Sequence, residues 1–413
     1  MLRSRRPTRL LPISISAAPA KDLRASARQS FLISFLLLTF ALCMATNLQA
    51  QASDPADPEV QTPIRIKGQG QANIVGLTPS QVKTAYGFAP SNSGSGQTIA
   101  IVVAYDNNTI EEDLAFFSET FGLPSCTSDS GCFRKIYAQG KKPGNHKLWS
   151  LESALDVEWA HAMAPLAKII LVEAKTAKLT DMMEAVDVAV ATNASVISMS
   201  WGLGDSTTRP DLDFHFLAAN KTFVAASGDF GNFVLYPSAS PHVISVGGTT
   251  LSVGVGGTYL GETAWSDSGG GLSIAEPVPA YQVPFNPFDK RGTPDVAYNG
   301  DPDTGFAVYN SNPYFGLKGW LQIAGTSAGV PQWAAIIASA NSARVAASLP
   351  LLTGTNAALY AAATSAYSNY FHDINDGSTN GSCGAVCTTG LGYDFVTGLG
   401  TPKASALIDA LAQ

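Results

Sequence analysis

The run Thr98-Ile-Ala-Ile-Val-Val103 is apolar at every position and predicts a buried β-strand. Similar runs follow at 167–172, 194–199, 222–226 and 242–246, and predicted helices at 110–121, 149–163, 179–191 and 211–219 separate most of them. Strands that are apolar throughout and alternate with helices are typical of a mostly parallel sheet with helices on both faces. The sequence therefore predicts an α/β fold.

The pattern changes after the fifth of these runs. Residues 247–319 are rich in Gly, Pro, Ser and aromatic side chains, which predicts surface loops and short antiparallel strands. A helix is predicted after 327, then a Gly-rich, Asp-bearing tail at 371–402 and a short final helix. Since no linker divides residues 77–413, we expect a single domain there.

The first 76 residues have a different composition. Residues 1–30 carry seven basic residues and one acid, and the apolar run 31–45 precedes Ala50-Gln51-Ala52. This pattern is typical of a signal peptide cleaved after Ala52; a membrane anchor is the alternative, although 15 apolar residues are short for a span. Residues 53–76 are polar and predict a short linker or remnant pro-segment. We expect a secreted or periplasmic protein.

The net charge and the number of cysteines limit which partners and which covalent links are expected. Loss of residues 1–52 would move the formal charge from −7 to about −13, which argues against nucleic acid as a partner. Four cysteines would remain, an even number that predicts two disulfides in an exported chain. Three connectivities are possible. We favour the sequence-local pairs Cys126 with Cys132 and Cys383 with Cys387 over zinc binding, because no histidine lies within a few residues of either pair.

Ser327 is the candidate nucleophile. It lies in Ala324-Gly-Thr-Ser-Ala-Gly-Val-Pro331, where small residues precede an apolar helical run. A serine at such a helix start has amide N–H groups near its hydroxyl, which suits an oxyanion hole. A serine that only caps the helix is the alternative.

Two acids share one helix face. Glu152 and Asp156 are four residues apart, and like charges at this spacing destabilise a helix by about 0.2–0.5 kcal/mol. The five histidines have no context that suggests a base for Ser327, and His161 lies on the opposite side of this helix from Glu152. A carboxylate base is therefore predicted. Asp229 ends an apolar strand within Ser227-Gly-Asp229, a position where parallel sheets place ligand groups; a simple turn is the alternative.

These sites occur together in an order that resembles the sedolisin family of serine-carboxyl peptidases, which have a subtilisin-like fold. The resemblance covers residues 77–413. The stretches that carry it are Leu77-Thr-Pro-Ser-Gln with Tyr86-Gly87, residues 152–159, Ser198-Met-Ser-Trp-Gly202, Ser227-Gly-Asp229, Tyr236-Pro-Ser-Ala-Ser-Pro241, Val246-Gly-Gly-Thr249, Pro294-Asp-Val296 and Gly325-Thr-Ser-Ala328.

The resemblance implies a role for each site residue. Ser327 would be the nucleophile, Glu152 its general base, Asp156 the residue that orients Glu152, and Asp229 a side-chain donor in the oxyanion hole. Ser200, Trp201 and Gly202 would line the substrate. A glutamate with an ordinary pKa of about 4.3 can act as a base in acid, and Asp229 can donate only while protonated. These roles predict an acidic working range.

The resemblance also implies one Ca²⁺ ion in the C-terminal loop region. Its ligands would be the carboxylates of Asp373 and Asp394 and the carbonyls of Ile374, Gly390 and Gly392, with water completing six oxygens. An ion-free Gly-rich turn is the alternative.

The sequence thus predicts an exported serine peptidase, a hydrolase that cleaves polypeptides through an acyl-enzyme and acts as a monomer. A secreted binding protein on the same scaffold that has lost turnover is the alternative. The family usually carries a long folded pro-segment, whereas 24 residues separate Ala52 from Leu77 here. Peptide specificity, and the choice between internal and terminal cleavage, cannot be read from the motifs.

Overall fold

Parallel strands form the centre of the fold, as the apolar runs predict. In a computed structural model, which describes residues 57–413, eight strands make one mixed sheet. Its order is β10-β9-β7-β5-β2-β4-β3, and β13 pairs with β9. The bounds are β2 Thr98–Ala104, β3 Phe133–Tyr137, β4 Lys168–Ala174, β5 Val196–Met199, β7 Thr222–Ala226, β9 Val243–Val253, β10 Tyr259–Ala264 and β13 Val296–Asn299.

All neighbouring pairs in this sheet are parallel except β9 with β10. Every residue of β2 is buried, as expected for a sheet covered on both faces, and the predicted α/β class with a mostly parallel sheet is confirmed. The predicted signal peptide at 1–52 lies outside the described residues.

Seven α-helices are described. They are α1 Pro79–Tyr86, α2 Ile110–Phe121, α3 Lys147–Met163, α4 Leu179–Val190, α5 Thr326–Ala346, α6 Thr355–Tyr370 and α7 Ala404–Leu411. Their ends follow local chemistry: Thr78 and Gln81 form a capping box at α1, and α2 ends at Gly122, which has a left-handed φ of 65°. Within residues 57–413, no helix is both long and apolar enough to cross a bilayer.

Smaller sheets lie outside the central one. A three-stranded antiparallel sheet has the order β1-β15-β14, and three two-stranded sheets pair β11 with β12, β16 with β17 and β6 with β8. The bounds are β1 Arg65–Gln71, β6 Leu203–Gly204, β8 Leu235–Tyr236, β11 Gly271–Pro277, β12 Lys290–Thr293, β14 Phe306–Tyr314, β15 Leu317–Ala324, β16 Phe371–His372 and β17 Thr401–Pro402. The expected antiparallel strands of 247–319 are present, but β13 joins the central sheet in parallel.

Residues 57–76 are more ordered than the linker we expected. They contain β1, whose Arg65 pairs with Ala324 and whose Ile66 pairs with Ile323 in β15. Upstream of β1, Glu59 and Gln61 form bridges with Lys178 and Gly202. The described chain is therefore already part of a sheet before Leu77, the point at which we expected the folded part to begin.

Two further elements differ from the sequence predictions. The helix expected at 211–219 is a 3₁₀ helix at Arg209–Phe216, with Pro210 in its first turn, and α6 was not predicted. Both predicted disulfides, Cys126 with Cys132 and Cys383 with Cys387, are present. Each closes a loop of a few residues, so each stabilises a local turn rather than the packing of distant elements.

Candidate active site

Helix α3 carries two of the predicted site residues through the core. All fifteen residues from Trp149 to Met163 are buried, including Glu152 and Asp156 with no exposed surface. Burial raises the pKa of both carboxyls because it disfavours their charged forms, and the charge of Asp156 raises that of Glu152 further. Because two adjacent buried acids cannot easily both be ionised, this pair shares one proton.

Asp156 is held by a serine from another element. Ser200 follows the carboxyl end of β5, and its hydroxyl donates to Asp156 Oδ1 at 2.6 Å, which lowers the pKa of that carboxyl. Ser200 Oγ also lies 3.3 Å from the carbonyl oxygen of Ser327. In α5 this carbonyl would normally accept from the residue four positions on, but that residue is Pro331, which has no N–H. The proline therefore frees a carbonyl for Ser200, which links the nucleophile's backbone to Asp156.

Ser327 lies in the first turn of α5. Gly325 precedes the helix with φ of 108°, a backbone conformation that disfavours side chains, and Ser327 is completely buried. Ser327 lowers the pKa of Glu152, so the two side chains are within electrostatic reach. Neither Ser327 Oγ nor Glu152 Oε1 has a hydrogen-bond partner of standard geometry among the described residues. Catalytic hydrogen bonds are often loose without substrate, and this arrangement suits a nucleophile and its base.

Asp229, which lies just after the carboxyl end of β7, is the fourth residue of the predicted site. Its Oδ1 accepts from the backbone N–H of Thr326 at 2.8 Å and from the Thr326 hydroxyl at 2.9 Å. Its Oδ2 is buried without a hydrogen-bond partner among the described residues, 3.9 Å from Arg65 Nε. Burial raises the pKa of Asp229 to about 7, although Thr326 and Arg65 both oppose that shift. Below that pH the free oxygen can carry a proton and donate it to an oxyanion.

The three residues expected to line the substrate lie in different environments. Ser200 contacts Asp156, and Trp201 is buried with its indole N–H 3.0 Å from the carbonyl of Val102, so its side chain belongs to the core. Only Gly202 contacts an extended segment, by two backbone hydrogen bonds to Gln61. The motif located this strand end, but side-chain direction could not be read from it.

Thr326, and Thr62 of the N-terminal segment, were missed by the sequence analysis. Thr326 fixes Asp229, and the Thr62 hydroxyl donates to Glu152 Oε2. Thr326 stands beside the predicted nucleophile, which was an available signal. Nothing in the composition of residues 53–76 indicated contact with a residue 90 positions later.

The histidines lie elsewhere. His161 Nε2 is 2.8 Å from the carbonyl of Pro124, and His215 pairs with Asp187 at 2.7 Å. His161 is also close to Cys126 and Cys132, but those cysteines form a disulfide and offer no thiolate to a metal. Among residues 57–413, no histidine forms a hydrogen bond with Ser327 or Glu152.

The residues of the predicted calcium site converge on one loop. The N–H of Gly392 donates to Asp373 Oδ1 at 3.1 Å, and that of Gly390 donates to Asp394 Oδ2 at 3.2 Å. The carbonyls of Ile374 and Gly390 receive no backbone hydrogen bond from the described residues, whereas the Tyr367 hydroxyl donates to that of Gly392 at 3.1 Å. Burial raises the pKa of Asp394 to about 6, a cost that a bound cation would offset. Two carboxylates with free carbonyls fit a hard cation such as Ca²⁺.

Comparisons with known proteins agree with this geometry. The sequence model described as the Subtilase family matches residues 136–381, a range that contains all four site residues. The chain is 32% identical to kumamolisin from Bacillus sp. (strain MN-32) over 81% of its own length and 63% of that protein's. It is 28% identical to sedolisin from Pseudomonas sp. (strain 101), over 79% and 60% of the two lengths. The chain therefore spans about three fifths of these curated relatives.

A solved structure is also similar. It is that of Pseudomonas sedolisin, a serine-carboxyl proteinase, complexed with two molecules of pseudo-iodotyrostatin. The TM-score is 0.71 at 26% identity, and the match covers 82% of this chain and 98% of that one.

Proposed function

The chain belongs to the subtilase family and, within it, to the sedolisin group of serine-carboxyl peptidases, and on that premise we propose that it hydrolyses polypeptides in acid through an acyl-enzyme on Ser327. The observation that carries the proposal is the buried group of Glu152, Asp156 and Asp229 around a serine at a helix start. Three acids can supply a general base and an oxyanion donor without a histidine. Both roles depend on the protonation state of the carboxyl groups.

The first step is attack by Ser327. Glu152 accepts the hydroxyl proton as Oγ bonds to the substrate carbonyl carbon, and the carbonyl oxygen becomes an oxyanion. We propose that the pair shares one proton, which Asp156 carries while Glu152 acts as the base. Ser200 holds Asp156 in position by donating to Oδ1, and Asp156 Oδ2, which has no hydrogen-bond partner among the described residues, can carry that proton. Burial raises the pKa of both carboxyls, so the two acids are not ionised together.

The oxyanion is stabilised by Asp229 in its protonated form. The Thr326 contacts occupy Oδ1, so the free Oδ2 carries the proton toward the substrate. The backbone N–H of Ser327 would supply a second donor, since those of Thr326 and Ala328 already donate to Asp229 and Gly325. As the oxyanion collapses, the C–N bond breaks and Glu152 gives its proton to the leaving amine. Water then attacks the acyl-enzyme and gives a proton to Glu152, which returns it to Ser327 Oγ as the bond between Oγ and the acyl carbon breaks.

Calcium would act on structure and not on the reaction. We propose that Asp373, Asp394 and the carbonyls of Ile374, Gly390 and Gly392 hold one Ca²⁺ that fixes the tail between α6 and α7. The two disulfides support a secreted or periplasmic location, since disulfides persist in oxidising compartments.

The test is proteolysis of denatured haemoglobin by the purified protein at pH 3–5. We expect peptide release that Ser327→Ala abolishes. A folded protein that releases no peptides, or a Ser327→Ala variant that still does, would instead favour the silent binding protein.

A further inference from the structure

Residues 58–61 lie as an extended strand between two other segments. The N–H of Gln61 donates to the carbonyl of Gly202 at 2.8 Å, and the N–H of Gly202 donates back at 2.9 Å. On the other side, the N–H of Val60 donates to Ala177 and the N–H of Leu179 donates to Pro58, both at 2.8 Å. A chain held by backbone bonds on both sides is how a groove binds a peptide without reading its sequence.

The same strand continues beyond the serine. Arg65 and Ile66 pair antiparallel with Ala324 and Ile323, the last residues of β15. The Arg65 guanidinium also donates to the backbone carbonyl of Asp229 at 2.5 Å. Because β15 leads directly into Gly325 and α5, this pairing aligns the strand along the approach to Ser327.

The middle of the strand lies over the site residues. The Thr62 hydroxyl donates to Glu152. The carbonyl oxygen of Pro63 lies against Gly325, and a Cβ placed there would meet both this oxygen and, at 2.6 Å, Asp229 Oδ2. The Pro63 carbonyl is therefore beside the carboxyl proposed to stabilise the oxyanion, where the carbonyl of a cleaved bond would lie, so the Pro63–Ile64 peptide bond corresponds to that bond.

From this placement we propose that the protein is an endopeptidase whose cleft binds an unbroken extended polypeptide on both sides of Ser327, and that residues 58–65 occupy it as a substrate would. The inference rests on the proposed function and adds its substrate class. In a peptidase that removes tripeptides, the substrate's N-terminus is the third residue before the cleaved bond. That position corresponds to Gln61 here. Val60, Glu59 and Pro58 continue past that point with their own backbone partners.

Burial along the strand indicates which substrate positions are selected. Val60 is 3% and Ile64 is 7% exposed and Pro63 is also buried, whereas Glu59 and Gln61 are exposed. Val60 is the fourth residue before the bond, Pro63 the last before it and Ile64 the first after it. We expect apolar side chains at these three positions. The residue equivalent to Gln61 faces an open groove of about 500 Å³ that includes Arg209, Phe230 and Leu235 and tolerates polar groups.

The test uses the full chain and ten-residue peptides with the sequence of residues 58–67, in which Pro63 is replaced by Leu, Phe, Glu or Lys. One set is N-acetylated and C-amidated, and the other has free ends. Products are identified by mass spectrometry at pH 4, with the chain's own mass recorded in parallel. We expect both sets to be cut on the carboxyl side of the replaced residue, fastest where it is Leu or Phe because that position is buried. Rates of the two sets should lie within about threefold of each other, because the cleft needs no free amine.

Release of tripeptides from the free-ended set alone would overturn the endopeptidase inference. Cleavage of haemoglobin with no internal cut in either set would also overturn it. If haemoglobin is intact as well, the proposed function fails and the inference fails with it.

Two peptides that each carry one aspartate test whether substrate residues occupy the same positions as residues 58–65. Aspartate in place of Val60 should lower kcat/KM by about tenfold or more, because that position is buried and a charge there loses its hydration. Aspartate in place of the neighbouring Gln61 should change kcat/KM by less than about threefold. Equal effects at the two positions would show that the substrate does not follow this strand.

Discussion

At the residue scale, Glu152 is the side chain whose chemistry the proposal depends on most. Glutamine in its place keeps the size and the hydrogen bond from Thr62 but cannot take the Ser327 proton. We expect Glu152→Gln to lower kcat at pH 4 by about 10²- to 10⁴-fold, the usual loss for a positioned general base. Initial rates on the end-blocked peptides measure this, and thermal unfolding checks that the variant is folded.

His161 provides the matched control in the same helix. It is also buried, but its ring contacts Pro124 rather than the serine. His161→Gln should leave kcat within about twofold of the wild type. A folded His161 variant without activity, beside an active Glu152→Gln enzyme, would show that the carboxylate is not the base.

Asp229 sets the upper pH limit of the proposed activity. Burial raises its pKa from 3.8 to about 7, so the carboxyl keeps its proton below pH 7 and loses it above. An ionised carboxylate facing the developing oxyanion repels the charge it should stabilise. Activity should therefore be present in acid and fall by about tenfold per pH unit above 7, as a pH profile of kcat/KM will record.

Asp229→Asn gives a donor that does not titrate. We expect this variant to lose the fall near pH 7 while retaining measurable activity in acid. Equal wild-type activity at pH 4 and pH 8 would contradict the protonated-aspartate role.

Motifs indicated the four candidate site residues but not the contacts that orient them. Ser327, Glu152, Asp156 and Asp229 are brought together as expected, whereas Ser200 holds Asp156 although it was expected to face substrate. Spacing along a helix indicates which residues share a face. It cannot indicate that a hydroxyl 44 positions away points at one of them, because that direction depends on how β5 and α3 pack.

At the element scale, burial explains which strands could be predicted. Strands β2 and β7 are buried along their whole length, and their apolar runs were visible in the sequence. Strand β1 reads Arg-Ile-Lys-Gly-Gln-Gly-Gln and carries no such signal. Its partner β15 lies about 250 residues later, and backbone hydrogen bonds rather than side-chain pattern define the pair.

The segment around Gln61 should compete with substrate. Gln61→Pro removes the N–H that donates to Gly202, and one lost hydrogen bond weakens binding by about 0.5–1.5 kcal/mol, or roughly 2- to 10-fold. Because the segment competes with substrate for the cleft, its weaker binding in this variant should lower the apparent KM for the end-blocked peptides by about that factor. The kcat should not change. Initial rates must be taken while mass spectrometry shows the chain intact.

Gln61→Ala is the matched control, since it changes the same side chain and keeps the N–H. It should behave like the wild type. A proline variant with unaltered KM would mean that this segment does not limit access to Ser327.

At the scale of the whole molecule, the site depends on elements far apart in sequence. Helix α3, the ends of β5 and β7 and the start of α5 each contribute a group, and the predicted calcium loop closes the fold between α6 and α7. Both disulfides span fewer than ten residues and cannot hold these elements together. An ion bound only by the folded tail would instead stabilise the native state by RT ln(1 + [L]/Kd).

Calcium should therefore raise the melting temperature. At a concentration of 100 Kd the gain is about 2.7 kcal/mol, which for a domain of this size corresponds to roughly 3–4 °C. Differential scanning calorimetry after exhaustive dialysis against chelator, with and without added Ca²⁺, measures the shift. Asp394→Ala removes one proposed ligand and should abolish the response, whereas Asp409→Ala, an exposed acid in α7, should leave it intact. A calcium response that survives in the Asp394 variant would place the ion elsewhere, and a wild type that melts identically with chelator and with Ca²⁺ would rule out the site.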